Sequence, residues 1–550
     1  NISDLRTRLG PSVVPFEFFD QFQVKTGGYG AEFGRSTGGV VNATSKRGTN
    51  KWEFSGSAYF EPDWARGERP DTITSELVSG VVTPDRRRFS FSREDSNVIN
   101  YNLAIGGPIV KDTLFFYALG NFNATDTASV LTTTGTNSLS RTYRRGSLYR
   151  TRESDSPFGA IKLDWQIAEG HKLEYTGFHD QSIDERTLYN FTVLTDTIGA
   201  PQGGAALVKT GGQTSIYRYI GNITSDFKVS ALFGRGTTSS TQTVPFANRN
   251  CPSVIDENGA EIGCFVANPL INTDKRKAYR LDFEYNLGDF LVGSHLIRLG
   301  ADQEKNASLN NSVQAGGSDY EIQDKLTGDS FNQISSQTAP ADGRYVEVGT
   351  FIAGGNFKED LSAFYIEDEW AIGPVTMNIG ARKERFKNKF PDGSTYVDLK
   401  GDIAPRLGIS WDVLGDGNTK LYGTYGDYYI PLGTQAAVRN GGGEFNRVDI
   451  YNYAGPGTAP TNTPQLGALV GSQVFSNGTN SDPSSLVDPK SKPSYQTEMT
   501  AGFQTVLPEQ YFGAKASGGI RFIYRDLKRT LEDVAVDSGL NPLLAGNANV

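Results

Sequence analysis

Apolar and polar residues alternate with a period of two through much of this chain. Ile161, Leu163, Trp165 and Ile167 interleave with Lys162, Asp164 and Gln166, and Leu281, Phe283, Tyr285 and Leu287 with Asp282, Glu284 and Asn286. Val375, Met377, Ile379 and Ala381 alternate with Thr376, Asn378, Gly380 and Arg382, and Leu407, Ile409, Trp411 and Val413 follow suit. Successive side chains of a strand point to opposite faces, so each segment predicts a strand with one oily and one wet face. The pattern predicts about fifteen strands, near 52–60, 97–108, 113–125, 156–167, 171–182, 213–223, 227–238, 275–287, 294–305, 360–371, 374–386, 402–413, 418–429, 494–506 and 511–526.

The connections between these strands alternate in length. Gly107-Pro108, "AEG" at 168–170, "SD" at 225–226, "GDFLVG" at 288–293, "GP" at 373–374, "GDGN" at 415–418 and "PEQ" at 508–510 are tight. The gaps at 61–96, 126–155, 183–212, 239–274, 306–359, 387–401 and 430–493 are long and rich in Gly, Ser, Thr, Asn and Asp. Short turns at one end and long loops at the other predict an all-β fold, a large antiparallel transmembrane β-barrel with periplasmic turns and extracellular loops. A propeller or sandwich does not sort its loops this way.

Composition agrees. The chain has 63 Gly, 32 Phe and 25 Tyr but only 2 Met and 2 Cys, a profile rich in strand-forming aromatics and turn residues. No run of about 18 apolar residues provides a transmembrane helix. The mean hydropathy of −0.41 suits a barrel whose strands show every second side chain to a polar lumen. A net charge of −9 with no basic block disfavours nucleic acid as a partner.

Cys251 and Cys264 bracket "PSVIDENGAEIG", whose Glu257-Asn258-Gly259 centre reads as a hairpin turn. A disulfide between them, outside the cell, is the favoured reading, with two free thiols as the alternative. His171, His179 and His295 have no ligand spacing, no nucleophile motif appears, and no cofactor or enzyme activity is expected. "KTGGYGAEFG" at 25–34 is glycine-rich but is not GxGxxG and precedes no helical pattern, so a phosphate loop is rejected.

The first fifty residues break the barrel pattern. Paired glycines at Gly27 and Gly28 and at Gly38 and Gly39 permit positive φ and close backbone approach, as a small sheet packed in a lumen requires; ordinary turn glycine is the plainer reading. The segment "FEFFDQFQVKTGGYGAEFGRSTGGVVNATSKRGTNKWEFSGSAYF" resembles the plug-to-barrel junction of TonB-dependent outer-membrane transporters. Phe22 to Lys25, the turn with Gly27, Gly28 and Gly30, the strand from Gly38 to Thr44 with Lys46, and Trp52 to Phe60 occupy the family's places. Gly-Thr-Asn at 48–50 and "GSAYF" at 56–60 look Oar-like. "LSAFYIEDEWAIG" at 361–373, "APRLGISWDVLGDGNTKLYGTYGDYY" at 404–429 and "KPSYQTEMTAGFQ" at 492–504 are similar to successive barrel segments of the same family.

The resemblance implies that residues 1–50 are the C-terminal part of a plug and 51–550 an incomplete barrel, of 22 strands when complete. It implies active transport of an unknown extracellular ligand across the bacterial outer membrane, energised by the TonB-ExbB-ExbD complex through an N-terminal segment outside this sequence, in contact with lipid and lipopolysaccharide. An Oar-like adhesion or envelope role, or export of protein or peptide, is the alternative. In the family, plug arginines face barrel glutamates, which nominates Arg35, with Glu32 beside it, against Glu367, Glu369 and Glu384. Trp52, Tyr59, Phe60, Trp370, Tyr428 and Tyr429 are candidates for interfacial aromatic girdles.

Overall fold

The computed structural model of the chain describes residues 5, 14–78, 81–89, 91–132, 147–192, 197–243, 251–257, 262–263, 270–324, 343–441, 443–459, 461–479, 482, 487–488, 490–507 and 516–529. Two strands, β1 (Phe19–Lys25) and β2 (Val40–Ser45), pair with each other in a sheet of their own. Next come β3 (Glu53–Glu61), β4 (Thr72–Val78), β5 (Val81–Phe89), β6 (Asp95–Val110), β7 (Leu114–Thr132), β8 (Ser147–Ala168), β9 (His171–Thr192), β10 (Thr197–Asn222) and β11 (Phe227–Thr243). Then follow β12 (Val254–Ile255), β13 (Leu270–Asp289), β14 (Ser294–Val313), β15 (Asp319–Asp324), β16 (Arg344–Ile372), β17 (Val375–Lys389), β18 (Thr395–Lys400), β19 (Ala404–Asp412) and β20 (Thr419–Tyr429). Helix α1 (Thr434–Gly441) precedes β21 (Phe445–Gly455), β22 (Gln465–Asn477), β23 (Tyr495–Leu507) and β24 (Ala516–Lys528).

Fifteen of these strands, β3, β6 to β11, β13, β14, β16, β17, β19, β20, β23 and β24, pair antiparallel one after the next in a barrel sheet. They are the fifteen that the alternation predicts. The barrel is inside out by the standard of a water-soluble core. Phe364 and Ile366 are 67% and 54% exposed on its outer face, while Arg382 and Glu384 are 2% exposed on the inner face. Ile161 and Trp165 point outward while Lys162 and Asp164 are buried. A cation on the lipid side costs roughly 2–4 kcal/mol at mid-bilayer, which forces this sorting.

The apolar outer band is short. On β8 it runs from Pro157 through Ile161, Leu163 and Trp165 to Ile167, eleven positions, about what one crossing needs. Above it the outer face turns acidic, with Asp126, Glu153 and Glu185 side by side on β7, β8 and β9. The tight ends of the strands, at 169–170, 223–226, 290–293 and 373–374, lie at the opposite, periplasmic rim.

Two expectations change. The gaps at 183–212 and 306–359 are largely paired strand rather than loop, because β9, β10, β14 and β16 continue well past the membrane. There no lipid lies against either face, so the oily alternation that marks a membrane-crossing strand is absent while the ladder persists. Gly107 and Pro108 lie inside β6, and the turn falls at 111–113. Above the rim, β12, β15 and β21 build onto β16 and its neighbours, β22 onto β21, and β18 onto β17. Beside them α1 packs on an inner-wall cluster of Phe357, Leu361, Phe386, Phe390 and Leu399.

The aromatic girdle also needs revision. Trp52, Trp165, Trp370 and Trp411 sit at the periplasmic strand ends on the outer face, and Phe60 faces outward. Tyr59 instead shares the inner face with Asn100, its cross-strand partner. Tyr428 and Tyr429 are buried, the first against Tyr29 and the second in the Phe386–Leu399 cluster. His171 meets the Tyr219 hydroxyl at 2.7 Å, and His295 meets Asp368 at 2.9 Å and stacks on Trp370.

Candidate functional site

The loop from Thr26 to Gly39, between β1 and β2, lies against the inner wall of the barrel. It turns through left-handed backbone at Gly28 (φ 62°) and at Arg35 (φ 60°). A side chain at Gly30 would strike the Glu367 carboxylate, and one at Gly27 would lie 2.5 Å from Glu498 Oε1. A Cβ at either position would push the carboxylate off the backbone amide it faces, and the left-handed backbone at Gly28 favours glycine in its own right.

Those amides are used. Gly28 N–H donates to Glu498 Oε1 at 2.9 Å and Ala31 N–H donates to Glu367 Oε2 at 2.6 Å. Glu498 on β23 is steered by Arg525 of β24 at 2.7 Å, whose other guanidinium nitrogen donates to Thr26 O at 2.6 Å. From β23, Gln496 donates to Thr37 O at 2.9 Å. Tyr29 packs on Tyr428 at 4.5 Å, and the Arg406 guanidinium lies 3.8 Å from the Tyr428 ring centre.

Arg35 enters a denser network. Its guanidinium pairs with Asp302 and, at 2.7 Å, with Glu304, both on β14. Arg382 of β17 donates to Asp302 at 2.7 Å, to Glu384 at 2.8 Å and to Ala31 O at 3.2 Å. Arg276 approaches Glu304 at 3.6 Å, and Glu32 approaches Arg280 at 3.8 Å. Arg35 thus meets Asp302 and Glu304, not Glu367, Glu369 or Glu384. Glu369 pairs with Arg298 at 2.8 Å, and Glu384 is held by Arg382. The reason is register: Asp302 and Glu304 share the wet face of β14, the strand hydrogen-bonded to β16.

The opposite wall holds the other end of the segment. Phe18 packs with Tyr117, Phe158 and Phe178 on β7, β8 and β9, Tyr117 donates to Glu17 O at 3.2 Å, and Lys162 donates to Ser45 Oγ at 3.1 Å. Of the other nominated glycines, Gly38 has open space around its Cα, and Gly39 (φ 146°) lies over Lys25 O. Cys251 is buried and disulfide-bonded; Cys264 lies outside the described residues. Sequence reasoning passed over Asp302, Arg382, Glu498 and Tyr29. The first three carry a partial signal, a charge on the wet side of a predicted strand.

A second polar cluster lies above the rim. Asp319 and Glu321 on β15 share a face with Glu347, which stands directly opposite Glu321 near the outer end of β16. Burial first, then Glu321 and Asp319, push the Glu347 carboxyl up to about 7; burial also raises Asp319 and Glu321. A carboxyl whose folded pKa exceeds its unfolded value near 4.5 stabilises the fold when protonated. Stability then falls as pH rises from about 4.5 to about 7, by roughly 3 kcal/mol for such a shift. Hydrogen exchange of the β15–β16 amides, corrected for intrinsic rates, should show weaker protection at pH 8 than at pH 5.5, and Glu347→Gln should remove most of the difference. Equal protection in the wild type at both values would contradict the assignment.

The described residues thus form a transmembrane barrel, inside out, with a small separate sheet seated on its inner wall by polar contacts. Residues 222–474 match the family described as TonB dependent receptor-like, beta-barrel, so this stretch of barrel wall is similar to that of TonB-dependent receptors of the bacterial outer membrane. Over 107 residues, 20% of this chain and 9% of the relative, it is 36% identical to the TonB-dependent transporter Oar of Myxococcus xanthus. It is similar in fold to the outer membrane transporter YddB from Escherichia coli, with a TM-score of 0.53 and 13% identity over 89% of this chain and 54% of that one. A mutant of the ferric enterobactin receptor PfeA from Pseudomonas aeruginosa, in complex with enterobactin, gives a TM-score of 0.51 and 13% identity over 95% of this chain and 60% of that one. The chain thus spans somewhat over half the length of these solved structures.

Proposed function

We propose that this chain forms the gated part of a TonB-dependent active transporter, with residues 1–50 ending a plug, residues 51–550 forming barrel wall, and the extracellular loops capturing a ligand. The observation that carries the reading is the seating of residues 14–50. They touch β7, β8 and β9 on one side and β14, β16, β17, β20 and β23 on the other, chiefly through ion pairs and hydrogen bonds. Polar seams in a wet lumen exchange protein partners for water at small net cost, so such a plug stays seated yet yields to force. The energy comes from the inner membrane through the TonB-ExbB-ExbD complex, acting on the plug, and the cargo is an extracellular ligand.

Liposome swelling in arabinose tests the gate. Arg35→Ala with Glu367→Ala removes two seating contacts while Asp302 keeps Arg382 and Glu304 keeps Arg276. The double variant should swell its liposomes several-fold faster than the wild type. An unchanged rate would remove the gating role from this segment.

A further inference from the structure

On β8 and β9 the charges are sorted by face above the membrane band. Arg150 and Arg152 on β8 and Arg186 on β9 point into the barrel, while Glu153, Asp155 and Glu185 point out. Arg152 and Arg186 stand directly opposite each other across the ladder, and Arg150 is two residues further along the same face. Like charges placed opposite one another are destabilising unless something neutralises them. One carboxylate lies among them: Asp184 accepts from Arg152 at 2.9 Å and from Arg186 at 2.9 Å. Hydrogen bonds from Arg152, Ser154 and Arg186 hold it below the ordinary aspartate range against its burial.

Among the described residues, three inner-face cations around one anion leave two positive charges uncompensated. Among the described residues Arg150 has no ion-pair partner, and burial, then the like charges of Arg186 and Arg152, depress its guanidinium. The Nε groups of Arg152 and Arg186 are buried and without hydrogen-bond partners. Beside them are the hydroxyls of Ser154, Ser156 and Ser182, linked to one another at 2.9–3.3 Å. The neighbouring inner-face residues of β7 are Thr125, Thr127 and Ser129, which add hydroxyls but no charge.

The cluster stands above the plug contact. Arg152 is six residues up β8 from Phe158, where Phe18 is seated, a rise of about 20 Å. It therefore faces the extracellular vestibule, the side from which a ligand arrives.

We propose that Arg150, Arg152 and Arg186 form an oxyanion site on the vestibule wall, and that the captured ligand presents a dianionic phosphate group to it. Guanidinium forks match phosphate oxygens in charge and geometry, two charges are what the wall lacks, and the serines supply neutral donors around them. Asp184 is the positioning residue that holds two of the forks. The inference names the cargo chemistry for the transport reading and rests on it only for direction of entry.

Equilibrium dialysis of radiolabelled inorganic phosphate against the full-length transporter in detergent, at low ionic strength, is the test. Wild type should retain phosphate saturably, and Arg150→Gln/Arg152→Gln/Arg186→Gln should weaken binding at least tenfold. Arg150→Gln alone leaves both Asp184 pairs in place, so it reports on the site without disturbing the fold, and it should weaken binding at least threefold. The outer-face control Glu153→Gln/Glu185→Gln removes two negative charges from the same strands and should leave affinity within twofold; tighter binding there would mark a diffuse Coulombic effect and overturn the site. No saturable binding by wild type, or wild-type affinity in the triple variant, would overturn it equally. Swelling rates are independent of this measurement, so a gated channel that ignores phosphate refutes the oxyanion site alone, and an ungated one that binds it refutes the gate alone.

Discussion

Arg382→Ala is expected to cost about 3–5 kcal/mol of unfolding free energy, the usual penalty for removing one partner from a buried ionic cluster. Arg382 is 2% exposed and is the shared donor of Asp302 and Glu384, while also holding the Ala31 carbonyl. Without it Glu384 loses its ion pair, leaving only the more distant Arg406, and among the described residues Asp302 keeps Arg35. Two consequences separate. Denaturant titration followed by tryptophan fluorescence should show an earlier midpoint, and trypsin should cut more quickly after Lys25 and Arg35 as the loop loosens. Removing the charges together, as Arg382→Met/Asp302→Asn/Glu384→Gln, should recover much of the stability, because no unpaired ion is left in the wall. A single variant within about 1 kcal/mol of wild type would mean that water already reaches this cluster and that it seats nothing.

The barrel was legible because lipid imposes a rule that sequence cannot evade: wherever a strand crosses, every second residue must be oily. Ile161 to Ile167 and Val375 to Ala381 obey it, and the structure places those residues outward. The rule stops at the membrane edge. Arg344 to Gly354 and Ala206 to Gly212 are strand as well, but lipid faces neither side of them, so no regular oily alternation announces them; Tyr345, Val346 and Val348 are buried in succession rather than every second residue.

The site was legible only in part, for a related reason. Alternation tells which residues face the lumen but not at what height, nor which neighbouring strand presents its charge to a given plug atom. One segment suffices to nominate Arg35, but its partners follow from the register between β14 and β16, which sets Asp302 opposite Ala363 and Glu304 opposite Leu361. Glu367 and Glu384 do lie around the loop, but the first receives a backbone amide and the second steadies Arg382. Tyr428 shows the limit of residue type alone. An aromatic near a strand end suits a girdle, yet its even position on β20 places it beside Arg406 and Tyr29 in the lumen.

The central claim is that the opening segment occupies the lumen against the far wall, and a cross-link reads this directly. A Cβ built at Gly380 on β17 lies 3.2 Å from the Cβ of Ala31, close to the separation a disulfide spans after a slight shift. In outer membranes treated with a mild oxidant, Ala31→Cys/Gly380→Cys should form an intramolecular disulfide, seen as a reducible change in electrophoretic mobility, while each single variant stays unlinked. Free thiols in the double variant, or cross-links only between molecules, would place residues 26–39 away from the barrel wall and contradict the account.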